Sequence, residues 1–543
     1  MPNSRVGRKS VDFETSIEGR QPREAGLEAG RSAFVTSLVM VSTSVSRVLG
    51  FVRIALIGAI FGASGNADVW NAVFTIPNNL RKLLAEGALS SAFIPTLSAS
   101  LMADSSGAVP RLITRKVITL QLLILLPLVA VAAVFAAPIT RVLLPFPDPA
   151  KLALSATQFR YVFGYLVLVS VGAVIMAVLN SHNVFVLPSL SPILFSVCVI
   201  AAILLFHRSL GIFANAIGVL LGGVTQVVFQ LPSFFRRGYD LKPDFGFRYP
   251  QFLKILKQWL PVLASASISA LTEQVAVLLA SGLADGSISA LSNALIFFQL
   301  PFGIFSISIV TVLFPKMSRQ AALDDRQGLI ETVSYGLKFI LILMVPASLL
   351  YIILGRQIIA VAMQRGAFTA RGTLWTAQVL QAYSYGLFSL SAFTFLQRYF
   401  YSTHDFRTPL ISTAIVSVVD VLLSLWLRTT ALRVSGLAIA NSVAFTVGLG
   451  HLLLMAHRKL GRLEGRSILR TSLRLAVSLA PFLAFLLLFL RLSAPWWTPG
   501  SSLRNLGLLL VALTVSALLL LGMYWITGIE MLRDVIRSRV RRR

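Results

Sequence analysis

About fourteen apolar runs, each close to the ~20 residues a helix needs to cross hydrocarbon, succeed one another between residues 33 and 527. A chain so patterned can fold only in a bilayer, where each backbone N–H and C=O must find its partner inside the protein. Helices satisfy that demand, and the runs lack the alternation of barrel strands. Composition agrees. The chain is 56% hydrophobic and 13% charged, with a mean hydropathy of +0.80, too little polar surface for a soluble fold. The expected class is an all-α polytopic membrane protein.

The net charge of +27 would suit nucleic acid in a soluble protein. Here the cations sit mainly between the apolar runs, where the positive-inside rule puts them, so membrane lipid is the expected partner and nucleic acid is not. Arg111, Arg115 and Lys116 follow span two. Arg236, Arg237 and Lys242 follow span six, Lys316, Arg319 and Arg326 span eight, and Arg458, Lys459 and Arg462 span twelve. Strongly basic loops thus follow even-numbered spans, which predicts cytoplasmic termini on both sides, with Arg356, Arg365 and Arg371 as exceptions on the outer side. Residues 1–32 lack the apolar core of a signal peptide and read as a disordered cytoplasmic tail. Residues 528–543 read as a basic cytoplasmic tail beside anionic lipid.

A repeat organises the middle. Tyr161, Gly164, Ser181, Phe185 and Pro188 recur as Tyr383, Gly386, Ser402, Phe406 and Pro409. FIPTLS at 93–98 and LFPKMS at 313–318 recur similarly. The expectation is two pseudo-repeated six-helix lobes, 33–235 and 252–456. Basic loops 236–251 and 457–469 follow them, and two additional helices fill 470–527. Parallel repeats of this kind suit a transporter that holds its substrate between lobes.

The residues that carry chemistry are charges inside apolar spans, which are expensive and face a protein interior or a wet cavity. Arg47 and Arg53 lie in span one, and Asp68, Arg81, Lys82 and Glu86 in span two. Arginines facing one cavity suit a phosphate-bearing substrate, because the guanidinium stays charged and grips oxygens in pairs. Arg47 and Arg53 are about 240° apart on a straight helix, so sharing a cavity requires a bend, for which Gly50 is the candidate. Asp68 is either a gate latch to a basic partner or an N-cap of its own helix, and Glu86 either an ion-pair or a substrate-linked residue. Pro77 and Pro301 predict kinks. Glu273 in span seven is a candidate ion or proton site. Asp405 is read as a helix cap before Pro409, with coupling-ion binding the other possibility. No histidine pair has metal-ligand spacing, and neither a P-loop nor a nucleophile elbow is present, so an enzyme is not expected. Energy must come from the membrane potential, an ion gradient or the substrate gradient.

The motifs S-R-V-L-G-F-x-R (46–53), A-D-x-W-N-A-V-F (67–74), I-P-N-N-L-R-K-L-L-A-E-G-A-L-S-S-A-F-I-P (76–95), L-N-S-H-N-V-F-x-x-P (179–188), R-G-A-F-T (365–369) and F-Y-S-T-H-D-F-R-T-P (400–409) resemble the MurJ/MviN family of lipid II flippases, in the MOP exporter superfamily. The resemblance implies a V of two six-helix lobes plus two C-terminal helices. It also implies movement of an undecaprenyl-pyrophosphate-linked peptidoglycan precursor, lipid II, to the outer leaflet of the inner membrane. It needs no cofactor, and wall-synthesis enzymes are candidate partners. It assigns substrate binding to Arg47, Arg53, Arg81, Ser46 and Asn78, and gating or ion pairing to Asp68 and Glu86. Two positions depart from the family pattern. Ile54 stands where an acidic residue is usual, and Ile296 where span eight usually carries a fourth cavity arginine. Arg398, an unusual charge near the end of span ten, is the candidate replacement. Open alternatives are a flippase of another polyprenyl-linked saccharide and a non-transporting scaffold.

Overall fold

The computed structural model describes residues 22–63, 65–83, 87–104, 106–461, 463–500 and 502–529. Glu86, Arg462, residues 1–21 and residues 530–543 lie outside them.

The first lobe contains α1 (Pro22–Phe61), α2 (Asn66–Arg81), α3 (Gly87–Ala103), α4 (Ala108–Val134), α5 (Ala136–Leu143), α6 (Pro149–Val162), α7 (Tyr165–Ser181), α8 (Val186–Leu210) and α9 (Phe213–Phe235). The second contains α10 (Pro250–Ser281), α11 (Ser287–Pro301), α12 (Ile307–Ala322), α13 (Arg326–Met363), α14 (Ala370–Ser384), α15 (Leu387–Ser402), α16 (Arg407–Leu427) and α17 (Arg433–Leu460). Last come α18 (Gly465–Ser493) and α19 (Leu503–Ile526). The fold is all-helical, as expected. Among the described residues, eleven stretches are long and apolar enough to span a membrane, or twelve if the pair α14–α15, bent by 46°, is one span. The expected fourteen is not reached by that measure. The shortfall falls on spans two and seven, whose apolar helices are short (Phe93–Ala103 and Ala266–Ser281) and which carry Asp68, Arg81, Lys82 and Glu273.

The segment 1–32, expected to be disordered, is helical from Pro22. Its last residues, EAGLEAGR, are rich in helix formers and extend α1 beyond its apolar part. α17 and α18 likewise run past the expected loop boundaries, to Leu460 and from Gly465.

The repeat is visible in the backbone. Ser181 and Ser402 each end a helix, and the turns that follow pass through left-handed residues, Asn183 (φ 58°) and His404 (φ 57°). Gly211 (φ 54°), just before α9, and Arg433 (φ 47°), the first residue of α17, stand at matching turns. A left-handed backbone is costly at arginine and free at glycine, so the second lobe keeps the turn geometry where it has lost the glycine. Pro301 withdraws a hydrogen-bond donor, and the chain answers with a π-helical turn, Phe302–Ser306, before α12.

The lobes meet where α2 and α3 pack on α10, α2 on α11, and α1 on α13. The C-terminal pair packs on α13. Leu475, Leu479, Phe482 and Leu486 of α18 join Ile342 and Leu354 in one buried cluster, and the Tyr524 hydroxyl donates to the Ile342 carbonyl at 2.6 Å.

Candidate functional site

Ser46, Arg47, Gly50, Arg53, Asn78 and Arg81 line one cavity of about 330 Å³ in the first lobe, closed on its far side by Tyr165, Phe195 and Gln226. All five residues expected to bind substrate are therefore brought together. The described lining residues include no carboxylate. Arg53 is half-buried, with its guanidinium carbon 5.4 Å from the Phe195 ring centroid. It shares the cavity wall with Arg81, so two like charges face one space. Arg81 Nε donates to Asn78 Oδ1 at 3.2 Å, which holds the guanidinium on the cavity side of α2.

α1 runs as one helix through Gly50. Ser46, Gly50 and Arg53 fall on one stripe at helical spacing, and Arg47, one position round, reaches in on its long side chain. Arg47 also crosses the lobe boundary. A Cβ on Gly303, in the π-helical turn of span eight, would stand 3.3 Å from Arg47 Nη1. Span eight lacks its own arginine at Ile296, yet has a guanidinium beside it, supplied by span one. Ile296 lines neither cavity described here. Arg398 is exposed, 5.7 Å from the Tyr401 ring centroid, and also lies outside both cavities. The structure does not bring it to the position expected of a replacement cation.

Asp68 has only 3% of its surface exposed and, among the described residues, forms no ion pair and does not cap its own helix. It accepts from the backbone N–H groups of Gly286 (2.5 Å) and Ser289 (2.8 Å), capping α11 of the opposite lobe. Around it the seam is sewn by Asn71 to Ser289 (3.3 Å), by Ala367 N–H to the Ala59 carbonyl (2.7 Å), and by the ion pair Lys151–Asp285. Gly366 (φ 56°) permits the close pass over α1, since a Cβ there would meet the Ala59 oxygen at 2.2 Å. This seam lies at the end of the bundle that loop charge predicts to be outside.

Glu273 is not an isolated carboxylate. It pairs with Lys82 at 2.8 Å, joining the lobes. It also lines a second cavity, of about 390 Å³, inside the second lobe. That cavity holds a residue the sequence reading missed, Asp420, only 5% exposed, which accepts from Asn441 Nδ2 (2.9 Å) and Ser424 Oγ (3.2 Å). The signal was present: an acid in the middle of an apolar span is a functional-site hypothesis by itself.

Asp405 caps α16, accepting from Arg407 N–H (3.1 Å), Thr408 N–H (3.0 Å) and Thr408 Oγ1 (2.7 Å), and it pairs with Lys459. Burial alone would raise its carboxyl pKa, but the bonds from Lys459 and Thr408 outweigh burial and hold it at about 2. A depressed carboxylate contributes stability that is full above the unfolded pKa of about 4 and is lost as pH falls toward the folded value. The melting-temperature gap between the native chain and Asp405→Asn should therefore narrow between about pH 5 and about pH 3. A gap that stays constant over that interval would show that the ion pair does not stabilise this corner. In the loop before α10, the bond from Arg115 lowers the Asp240 pKa and that from Lys116 lowers the Asp244 pKa.

Comparison with known proteins points to one family. A sequence model of the family described as lipid II flippase MurJ matches residues 57–508. The chain is 36% identical to a Borreliella burgdorferi protein named "Probable lipid II flippase MurJ", over 505 residues that cover 92% of this chain and 98% of that one. It is 28% identical to the lipid II flippase MurJ of Burkholderia cenocepacia, over 77% of this chain and 82% of that one. Among solved structures, it is similar to a lipid II flippase MurJ in an inward closed conformation, with a TM-score of 0.75, 25% identity and coverage of 92% and 99%. A multidrug resistance MATE transporter of the MOP superfamily shares the fold at a TM-score of 0.63 and 13% identity.

Proposed function

The chain belongs to the lipid II flippase MurJ family, and from that premise we propose how its two lobes move the substrate. It is a multi-pass inner-membrane transporter of lipid II and not an enzyme. One observation carries the mechanism: Arg47, Arg53 and Arg81 converge with Ser46 and Asn78 on a cavity whose described lining has no carboxylate. The pyrophosphate of lipid II binds there. Desolvated, charge-assisted and bidentate bonds are the strongest the protein can offer to phosphate oxygens. The sugar-peptide head enters the cavity between the lobes, while the isoprenoid tail stays in lipid along α18 and α19.

Both termini face the cytoplasm in this reading, so the seam around Asp68 closes the outer side while the head group loads. Rocking of the lobes then opens the seam and exposes the head outside. Asp68 is the gating residue, and Lys82–Glu273 is a second bridge between the lobes. Glu86 keeps its assignment to gating or ion pairing by resemblance. The membrane potential or an ion gradient drives the cycle. A cavity carrying net positive charge is drawn back inward by the inside-negative potential, at ~2.3 kcal/mol per charge per 100 mV. Wall-synthesis enzymes that consume the delivered precursor are the proposed protein partners.

The test is rescue of bacteria depleted of their own lipid II flippase, with outer-leaflet lipid II measured directly and membrane expression matched. The native chain should rescue and Arg47→Ala should not. Ile296→Arg should add nothing, because Arg47 already stands beside span eight. Rescue only by Ile296→Arg would mean that the native chain moves a different polyprenyl-linked saccharide. Rescue by Arg47→Ala as complete as by the native chain would favour a scaffold.

A further inference from the structure

The second-lobe cavity differs from the first in sign and in lining. Its charged wall residues are Glu273 and Asp420, and its apolar wall is built from rings: Phe298 stacks on Tyr383 (5.2 Å between centroids) and Phe393 meets Phe445 edge-on (5.5 Å). Asp420 is paired with no lysine, arginine or histidine among the described residues. A carboxylate offers about four acceptor sites, and Asn441 and Ser424 use two. A buried carboxylate without a countercharge either takes up a proton or is joined by something cationic. At about 390 Å³ the cavity is of the size that takes an organic group, and ring faces beside a carboxylate are the usual surroundings of an organic ammonium.

Helix α2 walls both cavities, giving Phe74, Asn78 and Arg81 to the first and Thr75 to the second. Lys82, next to Arg81 of the first cavity, is bonded to Glu273 of the second. Arg47 lies against Gly303, next to Phe302 of the second cavity's wall. An elongated ligand with an anionic and a cationic end would find the opposite charge for each on the two sides of α2. A peptide that will later be cross-linked through an amide must carry a free amine, and that amine is an ammonium at neutral pH.

We propose that the second-lobe cavity is an ammonium subsite, in which Asp420, with Glu273 and the surrounding rings, holds the protonated side-chain amine of the head-group peptide while the arginines hold the pyrophosphate. This rests on the lipid II reading above and adds an orientation to it. Opposite charges at the two ends dictate which way round the head group loads, and they select precursors whose peptide amine is free.

The test uses the full chain in lipid nanodiscs and three probes: lipid II with its side-chain amine free, the same lipid II N-acetylated there, and undecaprenyl pyrophosphate without its head. Acetylation should weaken binding to the native chain about tenfold, the scale of one charge-assisted bond. Asp420→Asn should weaken the free-amine form by a similar factor and leave the acetylated form unchanged. The comparison of ligands on the native chain needs no variant, so misfolding of Asp420→Asn cannot decide the matter. Equal affinity of both lipid II forms for the native chain would overturn the proposal while leaving the flippase reading in place. So would a loss in Asp420→Asn that is equal for both forms and follows sodium or potassium concentration, which would mark an inorganic-cation site. If none of the three probes binds the native chain, the flippase reading itself fails.

Discussion

Replacing Arg53 with alanine should reduce lipid II translocation ~100-fold, the cost of two charge-assisted hydrogen bonds at ~1.5 kcal/mol each. Arg53 is half-buried in the cavity wall, with its guanidinium over the Phe195 ring and Arg81 lining the same cavity. Two mutually repelling guanidinium groups at the head of a cavity with no described lining carboxylate are costly in the empty protein. They are repaid when an anion with several oxygens arrives, so the site is built around its ligand rather than around its own stability. Two consequences distinguish this from a structural role. Arg53→Ala should leave the melting temperature unchanged or raise it, because it relieves repulsion. Arg53→Lys should recover only part of the rate, because an ammonium keeps the charge but loses the planar fork. The measurement is the initial rate of lipid II movement in proteoliposomes at matched protein content. A rate for Arg53→Ala close to native would remove the arginine cavity from the mechanism.

The sequence made this cavity legible because its residues sit close together along the chain. Ser46, Arg47 and Arg53 share one helix, Asn78 and Arg81 the next, and charges within apolar runs announce themselves. What it misjudged was reach. A helical-wheel argument treats a residue as a point on a cylinder, and by that rule Arg47 and Arg53 required a bend at Gly50. An arginine side chain extends far enough to turn a corner, and that of Arg47 lies on Gly303 of the other lobe. Contacts between lobes were the least legible. Glu273 and its partner Lys82 are 191 residues apart, and Asp68 is 218 residues from the Gly286 amide it caps. A backbone amide leaves no mark in a sequence, so no motif could have named Asp68's partner. Asp420 was missed for a different reason. It belongs to no motif, and the run at 408–427 was read for length rather than for its one acid.

Asp68→Ala should open the outer seam. The native carboxylate satisfies two amides at the start of α11, those of Gly286 just before the helix and Ser289 in its first turn, and places a negative charge at that helix's N-terminus, where the backbone dipole favours it. Alanine leaves both amides without their partner at a buried position, and loss of an N-cap alone costs ~1 kcal/mol. The unsatisfied amides add ~1 kcal/mol or more, so the closed population should fall ~30-fold relative to the open one. The seam would be loosened but not dissolved, because Lys151–Asp285 and the Ala367–Ala59 hydrogen bond do not pass through Asp68. Asp68→Asn, which keeps one acceptor oxygen in place, should fall between the native chain and alanine. A cysteine at Ala67, 1% exposed beside Asp68, reports the state of the seam in a background with Cys198→Ser. A membrane-impermeant maleimide added from outside should label it slowly in the native chain and at least tenfold faster with Asp68→Ala. Translocation should fall in step, since a carrier that cannot close its outer side while loading loses the closed state from which the head group is moved. Unchanged labelling in Asp68→Ala would show that the remaining contacts hold the seam and that the buried cap serves only α11.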